Sequence, residues 1–89
     1  MALENSKDGG IWAGTDGGGL NYFDPVNQTF QQYRNIPGDS ITLSNNYVTS
    51  LLEDSAGNLW VGTQNGLNIL DSKTHQFSTY YKSDQLIDD

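Results

Sequence analysis

The stretch from Asp54 to Asp71, Asp-Ser-Ala-Gly-Asn-Leu-Trp-Val-Gly-Thr-Gln-Asn-Gly-Leu-Asn-Ile-Leu-Asp, occurs twice in this chain. The earlier copy begins around Ser6-Lys7-Asp8-Gly9-Gly10, runs through Ile11-Trp12-Ala13-Gly14-Thr15, and continues as Gly19-Leu20-Asn21-Tyr22-Phe23-Asp24. Trp12 and Trp60 lie 48 positions apart (60 − 12), whereas Asp24 and Asp71 lie 47 apart (71 − 24) because the first copy carries one extra Gly in Gly17-Gly18-Gly19. Phe30 with Phe77 and Tyr33 with Tyr80 keep the shorter spacing. An internal repeat of this period restricts the chain to a solenoid, a propeller or an array, in which each unit buries its apolar surface against its neighbour.

Helical periodicity is absent. Short apolar segments separated by Gly, Asn and Asp read as strands and turns. In the second copy the strands are placed at 48–53, 59–63, 67–70 and 77–81, with a tight turn at Asp54–Asn58 and an Asn-Gly hairpin at Gln64–Gly66. The first copy repeats that order at 11–15, 20–23 and 30–34, and Pro25 suits its polar turn through a fixed φ. Ala2-Leu3-Glu4-Asn5 is aligned with Leu51-Leu52-Glu53-Asp54, with one residue added before Gly9, so the chain opens within a shortened first strand. The end, Ser83 to Asp89, is aligned with Asp39 to Asn46. The expected fold is all-β: two four-stranded antiparallel blades, the first over 1–41 and the second over 42–89 with the start of a further connection. Leu59 and Val61 point one way and Trp60 the other, while Leu67 and Ile69 oppose Leu70. A sheet apolar on both faces needs cover on both sides, which radial stacking into a propeller supplies.

The line Glu53-Asp54-Ser55-Ala56-Gly57-Asn58-Leu59-Trp60-Val61-Gly62-Thr63-Gln64-Asn65-Gly66-Leu67-Asn68 resembles the two-component regulator propeller repeat. That pattern is an acidic residue, a Gly turn, Leu-Trp-Ile/Val-Gly-Thr, a variable pair and Gly-Leu. The closing Phe77-x-x-Tyr80 and the opening Leu43-Ser44-Asn45-Asn46-x-Val48 resemble it too, and the likeness covers nearly the whole chain in two copies. The first copy departs from it by Ala13 in an apolar slot and by its extra Gly. The resemblance implies a non-catalytic piece of the periplasmic or extracellular sensor region of a bacterial hybrid histidine kinase, linked to oligosaccharide detection.

Charge and composition narrow the partners. A formal charge of −7, from 4 Lys and Arg against 11 Asp and Glu, repels phosphate backbones and disfavours nucleic acid. No apolar run approaches the roughly 18 residues that span a bilayer, and Met1-Ala2-Leu3-Glu4 lacks the basic region and apolar core of a signal peptide. No membrane insertion by this segment is expected. The absence of Cys removes disulfides and thiolate metal sites.

The chemistry-bearing motifs are sparse. Trp12 and Trp60 have faces suited to stacking on a sugar ring, but their fixed place in the repeat assigns them to core packing. Asp16-Gly17-Gly18-Gly19 lacks the Gly-Lys-Ser/Thr and the helix of a phosphate loop. Asp54-Ser55-Ala56-Gly57-Asn58 lacks the spaced carboxylates and distal Glu of a calcium loop. His75, the only His, has no partner for a zinc site. Asn27-Gln28-Thr29 matches a glycosylation sequon that a bacterial reading makes a bare turn. Asp16, Asp39, Glu53 and Asp54 are the carboxylates from which a glycosidase pair would be built; in so acidic a chain they read as solvated surface. No catalytic residue, metal or cofactor is assigned.

The candidate contact surface lies on the loops between second and third strands and on the connection between blades, which open on one end: Asp16–Gly19, Gln64–Gly66 and Arg34–Tyr47. Arg34, Asn35, Asn46, Tyr47, Gln64 and Asn65 there offer groups suited to sugar hydroxyls. Alternatives to a ligand sensor are a fragment of a propeller lyase or hydrolase, which the scarcity of His, Lys and Arg opposes, and an excised or designed blade-pair scaffold. The expected partners are further blades, either in a longer parent chain or from three or four copies of this one, and an oligosaccharide.

Overall fold

The computed structural model describes residues 1–81. The aligned tail from Ser83 to Asp89 lies outside the described residues. Eight strands follow one another: β1 (Ala2–Asn5), β2 (Ile11–Gly14), β3 (Leu20–Asp24), β4 (Thr29–Tyr33), β5 (Val48–Glu53), β6 (Leu59–Thr63), β7 (Gly66–Leu70) and β8 (Phe77–Tyr80). They form two sheets in the orders β1-β2-β3-β4 and β5-β6-β7-β8, antiparallel throughout. Among the described residues there is no helix. The expected pair of four-stranded antiparallel blades is what the chain forms.

The turns explain why the repeat folds alike twice. In the turns between third and fourth strands, Asp24 Oδ1 accepts the N–H of Val26 and Asp71 Oδ1 accepts the N–H groups of Lys73 and Thr74. Each is an Asx turn, in which a short acidic side chain satisfies the backbone locally. Both end on a residue with positive φ, Gln28 at 56° and His75 at 59°. In the β6–β7 hairpin only Gly66 is left-handed, with φ 105°. Asn65 therefore does not take the left-handed form that an Asn-Gly type I′ hairpin demands; Gln64 and Asn65 form the turn and Gly66 opens β7. The extra residue of the first copy falls in the matching hairpin, where Asp16 bridges to Tyr47 and Thr15 Oγ1 still donates to Gly19 O, as Thr63 Oγ1 does to Gly66 O.

The alignment of the first strands is corrected by one residue. Glu4 sits opposite Trp12, and Leu52 opposite Trp60, so Glu4 matches Leu52 and Asn5 matches Glu53. The turn bonds agree: Ser6 N–H donates to Gly10 O and Gly9 N–H to Ser6 O, as Asp54 N–H does to Asn58 O and Gly57 N–H to Asp54 O. No residue is added before Gly9. The shared Leu-Glu pair misled the sequence alignment, and a slip of one residue moves every side chain to the other face of a strand. With the correct register Glu4 shares a face with Trp12 and turns toward the second blade, where its Oε2 accepts the N–H of Glu53 (2.8 Å).

The core lies between the blades. Leu59, Val61, Leu70 and Phe77 of the second blade are buried against Leu20 of the first, with Leu43 from the connection and Val48 closing one end. Trp12, Tyr33 and Leu51 pack onto this cluster. Gly14 allows the close approach: a Cβ there would lie 2.3 Å from Val48 Cγ1. The two tryptophans, both expected in the core, part company. Trp12 is half-buried in the seam, 4.6 Å from the Tyr22 ring and 6.0 Å from the Tyr33 ring between centroids. Trp60 is 38% exposed, because it stands on the face of the second blade against which none of the described residues packs.

Candidate functional site

The loops singled out from sequence do converge on one end. Gly17 N–H and Gly19 N–H both donate to Asn46 O, Gln64 N–H donates to Tyr47 O, and Ser44 Oγ donates to Asn65 O. The six candidate residues divide within that cluster. Asn46 Oδ1 accepts the N–H of Asn35 (2.7 Å), and Asn35 Nδ2 donates to Leu43 O (2.8 Å), so these two side chains brace the connection from within. Arg34, Tyr47, Gln64 and Asn65 are exposed. Tyr47 stands over Gly17, where a Cβ would meet its ring at 3.4 Å. These four present a guanidinium, a phenol and two amides at the rim, donors and acceptors of the kind hydroxyl-rich ligands require.

A second feature lies at the opposite end and was not singled out from sequence. The seam between the blades opens there into a cleft of about 170 Å³ whose aromatic wall is Trp12, Tyr22 and Tyr33 and whose acidic rim includes Asp8, Glu53 and Asp71. That volume is below the roughly 300 Å³ at which pockets begin to enclose a drug-sized ligand. Its polar groups are engaged, some across the seam and some within the first blade. Glu53 Oε2 accepts Ser6 Oγ–H (2.9 Å) and the indole N–H of Trp12 (3.4 Å), while Oε1 accepts Lys7 N–H (2.8 Å). Tyr22 donates its hydroxyl to Asp8 Oδ1, which also accepts Gly10 N–H. The repeat alone did not reveal the Glu53 pairings because they join residues of different copies; the shared acidic-turn and Trp positions were the one signal available. Three of the four carboxylates considered for a glycosidase pair take separate duties: Glu53 locks the seam, Asp54 Oδ2 accepts the Trp60 indole N–H (3.0 Å), and Asp39 Oδ1 accepts Ile41 N–H; Asp16 joins Tyr47 through a backbone bridge.

The shifted titrations follow from this bonding. The Tyr22 hydroxyl holds the Asp8 carboxyl below the ordinary range. Burial and the neighbouring Asp8 push the Tyr22 phenol up to about 12. Both move away from neutrality, which suits fixed hydrogen bonds rather than proton transfer near pH 7. Asp24, Asp54 and Asp71 are also lowered, chiefly by the Asn27 side chain, the Trp60 indole and the Thr74 N–H respectively. A carboxyl depressed in the folded state contributes stability above its unfolded pKa of about 3.9 and loses it as pH falls through the folded value. A phenol raised from 10 to about 12 contributes below its unfolded pKa and loses that as pH rises through the folded one. The denaturant midpoint is therefore expected to be level across mid pH, to drop below about pH 4, and to drop again above about pH 10. Tyr22→Phe is expected to shrink the alkaline drop, and an unchanged alkaline limb would reject the assignment to Tyr22.

Among the described residues no three His, Asp or Glu side chains gather to hold a metal ion.

Residues 42–65 match the family model described as two component regulator propeller. Over 67 residues the chain is 46% identical to Histidine kinase P4 of Formosa agariphila, which covers 75% of this chain and 5% of the kinase. A crystal structure of the extracellular domain of a hybrid two component system from B. thetaiotaomicron superposes with a TM-score of 0.77 at 35% identity, covering 83% of this chain and 10% of the other. The chain thus spans a small fraction of the length of both relatives.

Proposed function

We propose that this chain, whose blades carry the two-component regulator propeller repeat, serves as part of a ligand-sensing propeller on the periplasmic or extracellular side of a two-component sensor. The observation that carries this is the match in fold and sequence to an extracellular domain of a hybrid two component system, supported by the likeness to a histidine kinase. The reading is non-catalytic, and the ligand class is an oligosaccharide, contacted by Arg34, Tyr47, Gln64 and Asn65 on the connection end. Their exposure and mixed donor–acceptor character support that assignment; Asn35 and Asn46 serve it from behind by holding the loop. Fixed backbone, held by bonds such as those from Gly17 and Gly19 to Asn46 O, lowers the entropy lost when a ligand settles on a loop.

Calorimetry against a panel of oligosaccharides, with product analysis of the same mixtures, tests the proposal. Binding without turnover is expected, and Arg34→Ala with Tyr47→Ala is expected to weaken it by about tenfold or more, the loss of roughly 1.4 kcal/mol of contact. Turnover of any sugar would replace the sensor reading with an enzyme one.

A further inference from the structure

The two blades within one chain show how a blade covers its neighbour, and the same surfaces recur at the two ends, where none of the described residues covers them. The covered face of the second blade is built on Leu51, Leu59, Leu70 and Phe77. By register these positions match Leu3, Ile11, Phe23 and Phe30 of the first blade. There the same apolar character faces outward, with Leu3 63% and Phe30 75% exposed. Conversely, the seam face of the first blade carries Trp12, Leu20 and Tyr33, which match Trp60, Leu67 and Tyr80 on the outer face of the second. Glu4 on that face is replaced by Leu52, 61% exposed beside Trp60. One end of the chain is a socket of the kind the first blade offers, and the other is a plug of the kind the second blade offers.

We infer that a second copy of this chain docks head to tail, its outer first-blade face covering the Trp60–Leu52 face of the first copy. The polar contacts also exchange in a consistent sense. Inside the chain Ser6 donates to Glu53; at the junction between copies the matching residues are Asp54 and Asn5, so the carboxylate accepts and the amide donates. Asn5 in the place of Glu53 spares the junction a pair of facing carboxylates. A plug and a socket on opposite ends make a heterologous contact, which closes into a ring when the rotation permits. Three or four chains make six or eight blades, within the usual propeller range of about four to eight. Because β1 completes its own blade by pairing with β2, closure needs no exchange of strands. Each chain carries −7, so mutual repulsion opposes assembly and added salt favours it. This inference stands apart from the ligand reading above.

Light scattering coupled to size exclusion, at about 50 µM in roughly 0.15 M salt so that repulsion is screened, tests it. The expected mass is three or four times the 9.8 kDa of the chain. Trp60→Glu blocks one end and Phe30→Glu the other; each variant is expected to be monomeric. A mixture of the two retains one intact plug and one intact socket and is expected to stop at two chains. A second measurement uses the absence of Cys: Leu52→Cys with Asn5→Cys in one chain places thiols on opposite outer faces. A short bis-maleimide is then expected to give covalent trimers or tetramers and no intrachain link. A monomeric wild type, assembly that survives either Glu substitution, or a mixture that remains monomeric would each overturn the inference. The last result would mark any self-association as face to face between identical surfaces.

Discussion

Asn68→Ala is expected to lower stability by about 3 kcal/mol, the cost of stranding two partly buried polar groups. Asn68 is fully buried, yet every group of its amide is used. Its Oδ1 accepts Ser44 N–H (3.1 Å) and Thr79 Oγ1–H (3.0 Å), and its Nδ2 donates to Ser44 Oγ (2.8 Å). One side chain thereby ties the incoming connection to β7 and β8. Alanine leaves the Ser44 N–H and the Thr79 hydroxyl without that acceptor, and each partly desolvated group loses its bond. Asn21 occupies the same place in the first repeat but stands half-buried on that blade's outer face. Asn21→Ala is expected to stay within about 0.5 kcal/mol while the chain is monomeric. Urea denaturation of both variants at low micromolar concentration is the measurement, and equal losses would reject the distinction.

Trp12→Ala is expected to cost about 3 kcal/mol, near the lower end for truncating a large buried aromatic, because the ring is half-buried. The loss combines its packing on Tyr22 and Tyr33 with its indole bond to Glu53 across the seam. Trp60→Ala in the monomer removes a ring that is already partly in water and an exposed bond to Asp54, so about 1 kcal/mol or less is expected. The ratio of the two effects reports on assembly as well. At concentrations where copies dock, the Trp60 substitution should come to resemble the Trp12 one. Equal costs in a demonstrated monomer would show that Trp60 is buried within its own chain.

Much of this architecture was legible from residues alone, for reasons that are local. Gly9, Gly57 and Gly66 take positive φ, a conformation that only glycine adopts freely. Asp24 and Asp71 cap their own turns. Alternation through Leu59-Trp60-Val61 sends neighbours to opposite faces, so the strands, their order and the need for cover on both sides could be read in advance. The loops at the connection end were legible as a cluster because antiparallel strands return every second loop to the same side. What each loop residue does there was not: Arg34 and Asn35 are adjacent, yet one faces water and the other holds Leu43 O and Asn46 Oδ1.

What the sequence by itself determined is the repeated blade: eight strands, their turns and a two-faced apolar pattern, all set by interactions within a few residues. Which member of each matched pair is buried was decided only by the tertiary structure. Trp12 and Trp60, Asn21 and Asn68, Phe30 and Phe77 are alike in their local surroundings, and a pattern rule treats the members of each pair the same. The structure separates them because two blades share one seam, which covers one face of each and leaves the other face of each to whatever packs next. The seam chemistry of Glu53 with Ser6, Lys7 and Trp12 joins residues more than forty positions apart. Burial and hydrogen-bond geometry at that distance depend on how whole sheets stack, and no local pattern encodes them.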